Sequence, residues 1–265
     1  MSIPVFFTIN LLGAGPSKET PPDWEFAGRT LDSLVNALLA EGVPPTIFCS
    51  PESIRAHTPM LEEFMDRGCV LGVLVSPSQS ALLDGQVPLG KLPLAQQAQV
   101  LHAAIEHYQR FLGQRPLVLR SGFSSATAET FALCKKHFIT HTSMSMPGAR
   151  LSQLGSLWDA TDTAIHDISG LTEIPITTNP DERLFNRFPL YLSPEVGDAA
   201  VYTRLIERGK ATGHLCVVAN NHADYFQPES VVRANLFALL DLIHADASLR
   251  PCTIPPPRSN ERGDT

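Results

Sequence analysis

The sequence predicts an α/β domain on a mainly parallel sheet, either barrel-like or doubly wound. Three observations carry this. Apolar runs rich in β-branched and aromatic residues recur about seven times, each followed by a stretch of helical period. The longest nearly unbroken apolar run, Cys69 to Val75, is far short of the roughly 18 residues a membrane span needs. The 22 prolines are spread along the 265 residues, as loop punctuation in a fold of many elements.

Each element follows from its own pattern. Ile3 to Ile9 reads as a buried strand, and Leu31, Leu34, Val35, Leu38 and Leu39 form one face of a helix ending near Gly42. Val43 to Cys49 is a second strand. Pro59 opens a helix running to Gly68, and Val70 to Val75 is a third strand. A long helix enters at Pro93, carries Leu94, Leu101, Ile105, Tyr108 and Leu112 on one face, and ends at Gly113. Leu117 to Leu119 is a fourth strand, Thr127 to Lys136 a short helix, and Phe138 to Thr142 a fifth strand. From Ser143 to Ser169 the periodicity breaks down into a loop or hairpin excursion. Leu171 to Thr177 is then a strand, Asp198 to Arg208 a helix, Leu215 to Ala219 a strand, and Val231 to Ile243 a helix entered through Pro228.

Composition removes several function classes. With 20 basic and 27 acidic residues, the net charge of −7 disfavours a nucleic-acid groove or an anionic membrane surface. The five cysteines form no Cys-x-x-Cys pair and mostly sit in apolar runs, so reduced buried thiols are expected. No basic leader precedes the apolar N-terminus, and the expectation is a soluble cytoplasmic protein. Gly-x-Gly-x-x-Gly after the first strand, a Walker lysine and a Gly-x-Ser-x-Gly elbow are all missing, which lowers nucleotide and serine-hydrolase readings.

In either architecture, ligands are met at the C-terminal ends of the strands. The polar residues there include Thr8 and Asn10, Ser76 and Ser78, Arg120 and Ser121, and the cluster Asn220, Asn221, His222 and Asp224. His222, flanked by amides and a carboxylate, suits acid/base work or a sugar hydroxyl, and equally suits a turn that ends the strand. Arg120, emerging from an apolar strand, calls for a carboxylate or anion, or a structural ion pair. Trp158, beside Asp159 and Asp162, is a carbohydrate platform or the cover of a core edge.

The order of these features resembles the polysaccharide deacetylase family, the metal-dependent carbohydrate esterases of the NodB-homology type. Val5 to Asn10 is similar to the family's first strand, Pro45 to Cys49 to its second, and Arg67 to Gly72 to the approach to its histidine motif. Gly113 to Pro116 followed by Arg120-Ser121-Gly122-Phe123 resembles the arginine motif, Gly170 to Pro175 the sixth strand, and Leu215 to His222 the final histidine strand. The resemblance spans roughly Ile3 to Ile254. It implies a distorted (β/α) barrel of about seven strands as one domain over residues 1–254; the tail 255–265, with three prolines and a run of charges, is expected to be disordered on its composition.

The resemblance also implies what has changed. Active members carry a Thr-Phe-Asp-Asp motif and a His-x-x-x-His metal pair, where this chain has Asn10 and Leu11, and Leu74 and Ser78. An amide is no base at neutral pH and leucine does not ligate zinc, so no metal cofactor is expected, although the family uses a divalent metal such as zinc. Arg120 and His222 match the arginine that orients the base and the histidine that protonates the leaving amine. The expected catalytic set is therefore His222, Arg120 and Asn10, with Thr8, Asn221, Asp224, Trp158 and Asp162 as ligand contacts. A saccharide or amino-sugar ligand is implied, either hydrolysed by relocated chemistry around His222, Asp224 and Asp159 or Asp162, or bound without reaction. A partner-binding protein that has lost catalysis is the remaining alternative.

Overall fold

The computed structural model describes residues 2–13, 23–76, 87–184, 188–221, 223–225 and 227–255. Strands and helices alternate through β1 (Ile3–Leu11), α1 (Trp24–Ala40), β2 (Thr46–Cys49), α2 (Pro51–Asp66), β3 (Val70–Val75), α3 (Leu94–Leu112), β4 (Val118–Ser121), α4 (Ala128–Lys136) and β5 (His141–Thr142). The excursion that follows holds the hairpin β6 (Arg150–Leu151) and β7 (Ser156–Leu157), then β8 (His166–Ile168) and β9 (Leu171–Glu173). A second hairpin, β10 (Thr178–Leu184) and β11 (Phe188–Tyr191), precedes α5 (Ala199–Thr212), β12 (Leu215–Asn220), α6 (Val231–Ala245) and β13 (Leu249–Cys252).

Nine strands form one curled sheet in the order β12-β1-β2-β3-β4-β5-β9-β8, with β13 also paired to β1. Every pairing is parallel except β8 with β9. This is the expected (β/α) barrel type, curled as a half-barrel.

Between β9 and β12 irregular chain bridges the sheet's ends. Ile174 N–H donates to the Thr142 carbonyl, Thr177 N–H to that of Cys216, and Val218 N–H to that of Leu192. Pro175 has no N–H to continue a ladder, which is why the strand expected through Thr177 stops at Glu173.

Side-chain parity sorts the core into two layers. Val5, Phe7, Ile9 and Leu11 of β1, Ile47 and Cys49 of β2, and Val217 and Ala219 of β12 belong to the cluster packed with the helices. Phe6, Phe48, Leu74, Val118, Cys216 and Val218 belong to a second cluster on the inner face of the curl. Each fully buried apolar side chain contributes roughly 1.5–3 kcal/mol by leaving water. Gly72 of β3 has a packing reason, since a Cβ there would meet the Phe48 ring at 2.8 Å.

Some sequence expectations are corrected. The second helix starts at Pro51, capped by Ser50, and Pro59 lies inside it beyond a kink at His57, where φ is −126°. The first helix begins at Trp24, capped by the Asp23 side chain, which accepts from Phe26 N–H. The fifth strand is two residues long because Phe138 takes a left-handed φ of 63° after α4 and stays exposed. The hairpin β10–β11 and strand β13 were not expected. Ser78, His222 and residues 256–265 of the expected tail lie outside the described residues. The five cysteines are free, four of them buried. Among the described residues no helix is long and apolar enough to cross a membrane.

The kink has a measurable consequence. His57 is buried against Gly28 of α1 with its Nε2 unpartnered, and burial lowers its pKa below the ordinary value of 6.5. The folded chain then resists a proton that the unfolded chain accepts. Stability from the neutral ring is therefore complete above about pH 6.5 and is lost as the pH falls below it. Urea melts at pH 7.5 and pH 5.0 should give a smaller stability difference in His57→Gln than in the unsubstituted protein; equal differences would refute this.

Candidate functional site

Inward parity brings the polar ends of the strands together. Thr8 and Asn10 of β1, Arg120 of β4 and Cys216 and Asn220 of β12 alternate with residues of the helix-facing layer, and β1 and β12 pair in register at Asn10 and Asn220. Above them opens a cavity of about 300 Å³, lined by Asn10, Arg120 and Asn220 on its polar side and by apolar residues such as Leu74, Met146 and Val218. Phe123, Phe188 and Tyr191 also line it.

Arg120 organises the floor. Its side chain is buried with the guanidinium carbon 4.3 Å from the centre of the Phe48 ring, a cation–π contact. Nε donates to the Ser143 carbonyl at 2.9 Å and Nη2 to Ser143 Oγ at 2.7 Å, with Cys216 Sγ at 3.8 Å. Nη1 donates to Thr8 Oγ1 at 2.9 Å and Asn10 Oδ1 at 3.1 Å. All its direct partners are neutral. Burial lowers its pKa, opposed by Cys216 and Glu173.

Glu173 is the buried counter-charge, reached through the backbone. Its Oε1 accepts from the N–H groups of Met144 at 2.8 Å and Ser145 at 2.7 Å, and Oε2 accepts from Thr142 Oγ1 at 2.5 Å. Residues 143–145 are thus clasped between a buried cation and a buried acid. Burial raises the Glu173 carboxyl above its usual range, against the pull of these three donors.

On the other side, the floor continues as a chain of amides. Asn10 Nδ2 donates to Asn220 Oδ1 at 3.1 Å, and Asn220 donates through Nδ2 and its backbone N–H to Glu195 at 2.7 and 2.5 Å. Tyr225 Oη adds a third donor to Glu195 at 3.1 Å.

The structure therefore gathers Thr8, Asn10 and Arg120 of the expected site residues, with Thr8 beneath the cavity and donating to the Val217 carbonyl. The other described candidates lie elsewhere. Asn221, of opposite parity to Asn220, clasps the backbone of Leu12 at 3.0 and 2.9 Å. Trp158 donates from Nε1 to the Ser124 carbonyl at 2.8 Å and packs edge-on to Phe131. Asp162 pairs with His166 at 3.2 Å on the excursion, and Asp224 sits in the turn Ala223–Tyr225. None of these four lines the cavity. Sequence reasoning missed Glu173, Glu195 and the facing role of Asn220. Only the last carried a signal, the inward parity of β12.

A divalent metal does not fit this floor. Asn10 Oδ1 is taken by Arg120, Leu11 faces the helices, Leu74 offers only hydrocarbon, and among the described residues no three His, Cys, Asp or Glu side chains gather as ligands.

No family model and no curated protein matches the chain. Solved structures do share its fold. A protein assigned as a polysaccharide deacetylase from Mycobacterium smegmatis superimposes with a TM-score of 0.66 at 15% identity, over 95% of this chain and 87% of that one. An allantoinase gives 0.61 at 11% identity, over 95% and 87%. A mutant of a family 4 carbohydrate esterase pseudoenzyme, with restored activity, gives 0.51 at 10% identity, over 92% and 64%. At these identities the likeness is one of fold: the chain has the polysaccharide deacetylase fold.

Proposed function

We propose that this chain binds the N-acyl end of a saccharide, or a related amide-bearing sugar, in the mouth of a deacetylase-type barrel and does not hydrolyse it by metal-activated water. One observation carries the reading: Arg120, Asn10 and Asn220 form a continuous hydrogen-bonded floor in which the inward end of each flanking strand is an amide. An amide takes no proton from water at neutral pH. It can hold a carbonyl or hydroxyl, and the remaining N–H of each amide is a donor for that purpose. Apolar walls at Leu74, Met146 and Val218 suit the methyl of an acetamido group.

Relocated hydrolysis has less support. Asp159 accepts from Thr161 in its own turn and Asp162 pairs with His166, both on the excursion rather than at the cavity.

The test combines thermal melting with acetate release. Triacetylchitotriose should raise the melting temperature by several degrees, since ligand at a hundred times Kd stabilises by about 2.7 kcal/mol, whereas chitotriose without acetyl groups should raise it less. Acetate should not be released with or without added zinc or cobalt. Equal shifts for the two sugars, no shift for either, or catalytic acetate release would overturn the proposal.

A further inference from the structure

The chain has four tyrosines, and three of them spend their hydroxyl inside the protein. Tyr108 Oη donates to the Leu71 carbonyl at 3.1 Å, Tyr202 Oη to the Pro194 carbonyl at 3.3 Å and Tyr225 Oη to Glu195 at 3.1 Å. This is the ordinary outcome, since a phenol taken out of water costs free energy unless its O–H finds an acceptor. Tyr191 is the exception. Its ring is half-buried against the inner apolar cluster and stands on the cavity lining, yet its hydroxyl has no hydrogen-bond partner among the described residues. The oxygen is open rather than sealed, and the cavity is the open space that this side chain borders.

The backbone around it is fixed. Tyr191 ends β11 opposite Thr178, whose Oγ1 donates to the Pro147 carbonyl at 2.9 Å. The next residue is tied from both sides: Leu192 N–H donates to the Thr177 carbonyl at 2.9 Å, and the Leu192 carbonyl accepts from Val218 N–H at 3.0 Å. This strand is thus fastened to β12 and to the excursion, so the phenol reaches the cavity with few torsions left to freeze when a ligand arrives. Burial, and then the charge of Glu195, push its pKa up to about 12, so at neutral pH it keeps its proton and is a donor.

We propose that the Tyr191 hydroxyl is a specificity-determining contact, donating to a hydroxyl or ring oxygen of the sugar whose acyl group meets the amide floor. The inference rests on the saccharide reading above and deepens it: Asn10 and Asn220 address the amide, whereas Tyr191 addresses the sugar's own oxygens. A ligand with an amide but no neighbouring oxygen leaves this donor unanswered. A site built to hydrogen-bond rejects a ligand lacking the matching group more strongly than an apolar wall does.

Tyr191→Phe tests this by calorimetric titration with triacetylchitotriose and by urea melts. The variant keeps the ring and deletes one oxygen. It should bind roughly five- to tenfold more weakly, the loss of one hydrogen bond. Its urea midpoint should be unchanged, because no acceptor in the protein loses a donor. Tyr225→Phe is the contrast: it removes a donor from Glu195 and should lower the midpoint. A tyrosine with a purely structural role would behave at 191 as at 225. Equal affinity in Tyr191→Phe, or a lowered midpoint, which would mean that the hydroxyl has an acceptor in the protein, would overturn the proposal and leave the saccharide reading standing. If the unsubstituted protein fails to bind triacetylchitotriose, the saccharide reading falls and the role of Tyr191 with it.

Discussion

Arg120→Met should lower the free energy of unfolding by about 3–5 kcal/mol, the range found when one partner of a buried charged network is removed. Methionine fills much of the same volume but provides none of the five N–H donors of the guanidinium. The Ser143 carbonyl and Thr8, both fully buried, lose their donor at once, and Asn10 loses its own at the cavity. Glu173 meanwhile loses the cation whose charge it supports, an attraction that acts on both partners. Its carboxyl, already raised, should rise further, so the folded variant holds a proton that the unfolded chain releases. Stability then falls as the pH rises through the folded value, and the variant's deficit should be larger at pH 8 than at pH 5.5. Urea melts followed by circular dichroism at the two pH values measure this. A deficit under about 1 kcal/mol, or one that grows toward acid, would sink the account.

Glu173→Leu should cost a similar amount, about 3–5 kcal/mol, because it orphans two buried backbone N–H groups at roughly 1–3 kcal/mol each and strands Arg120 without its counter-charge. Glu173→Gln separates charge from hydrogen bonding. The glutamine oxygen still accepts from Met144 and Ser145, and its NH₂ can donate to Thr142 Oγ1, so its loss should stay within about 1.5 kcal/mol. Both acidic and basic members act on residues 143–145, so the double variant Arg120→Met/Glu173→Leu should lose less than the sum of the single losses. Strict additivity, or a glutamine variant as damaged as the leucine one, would show that the clasp across residues 143–145 does not couple the two charges.

The elements with strong period were legible in the sequence. Leu31, Leu34, Val35 and Leu38 mark a helix face, and they are buried on α1. Gly113 marks a helix end, and it caps α3 in the left-handed conformation. What failed was local pattern without period. The two-residue β5, β6 and β7 are held by neighbours rather than by propensity. The hairpin β10–β11 hides behind Pro180 and Pro189, residues that weigh against a strand. The site divides in the same way. Thr8, Asn10 and Arg120 could be placed because each ends an apolar strand, and parity could have preferred Asn220 to Asn221. Glu173 and Glu195 could not, since each earns its role from backbone donors brought in from elsewhere in the chain.

Strand β1 is bonded along one edge to β12 and along the lower part of the other to β13. The Thr8 hydroxyl and the Val217 carbonyl it meets lie 209 positions apart. On a ribosome, β1 is among the first strands to emerge, and two of its three neighbours are among the last. Until they are translated, only β2 is at hand, and a long apolar strand waits with one edge and the lower part of the other unpaired. Closure of so distant a pairing makes folding slow relative to the local β-α steps that precede it. Between the translation of β1 and that of β12 and β13 the central strand is therefore in need of shelter, and the barrel closes only when those late strands arrive.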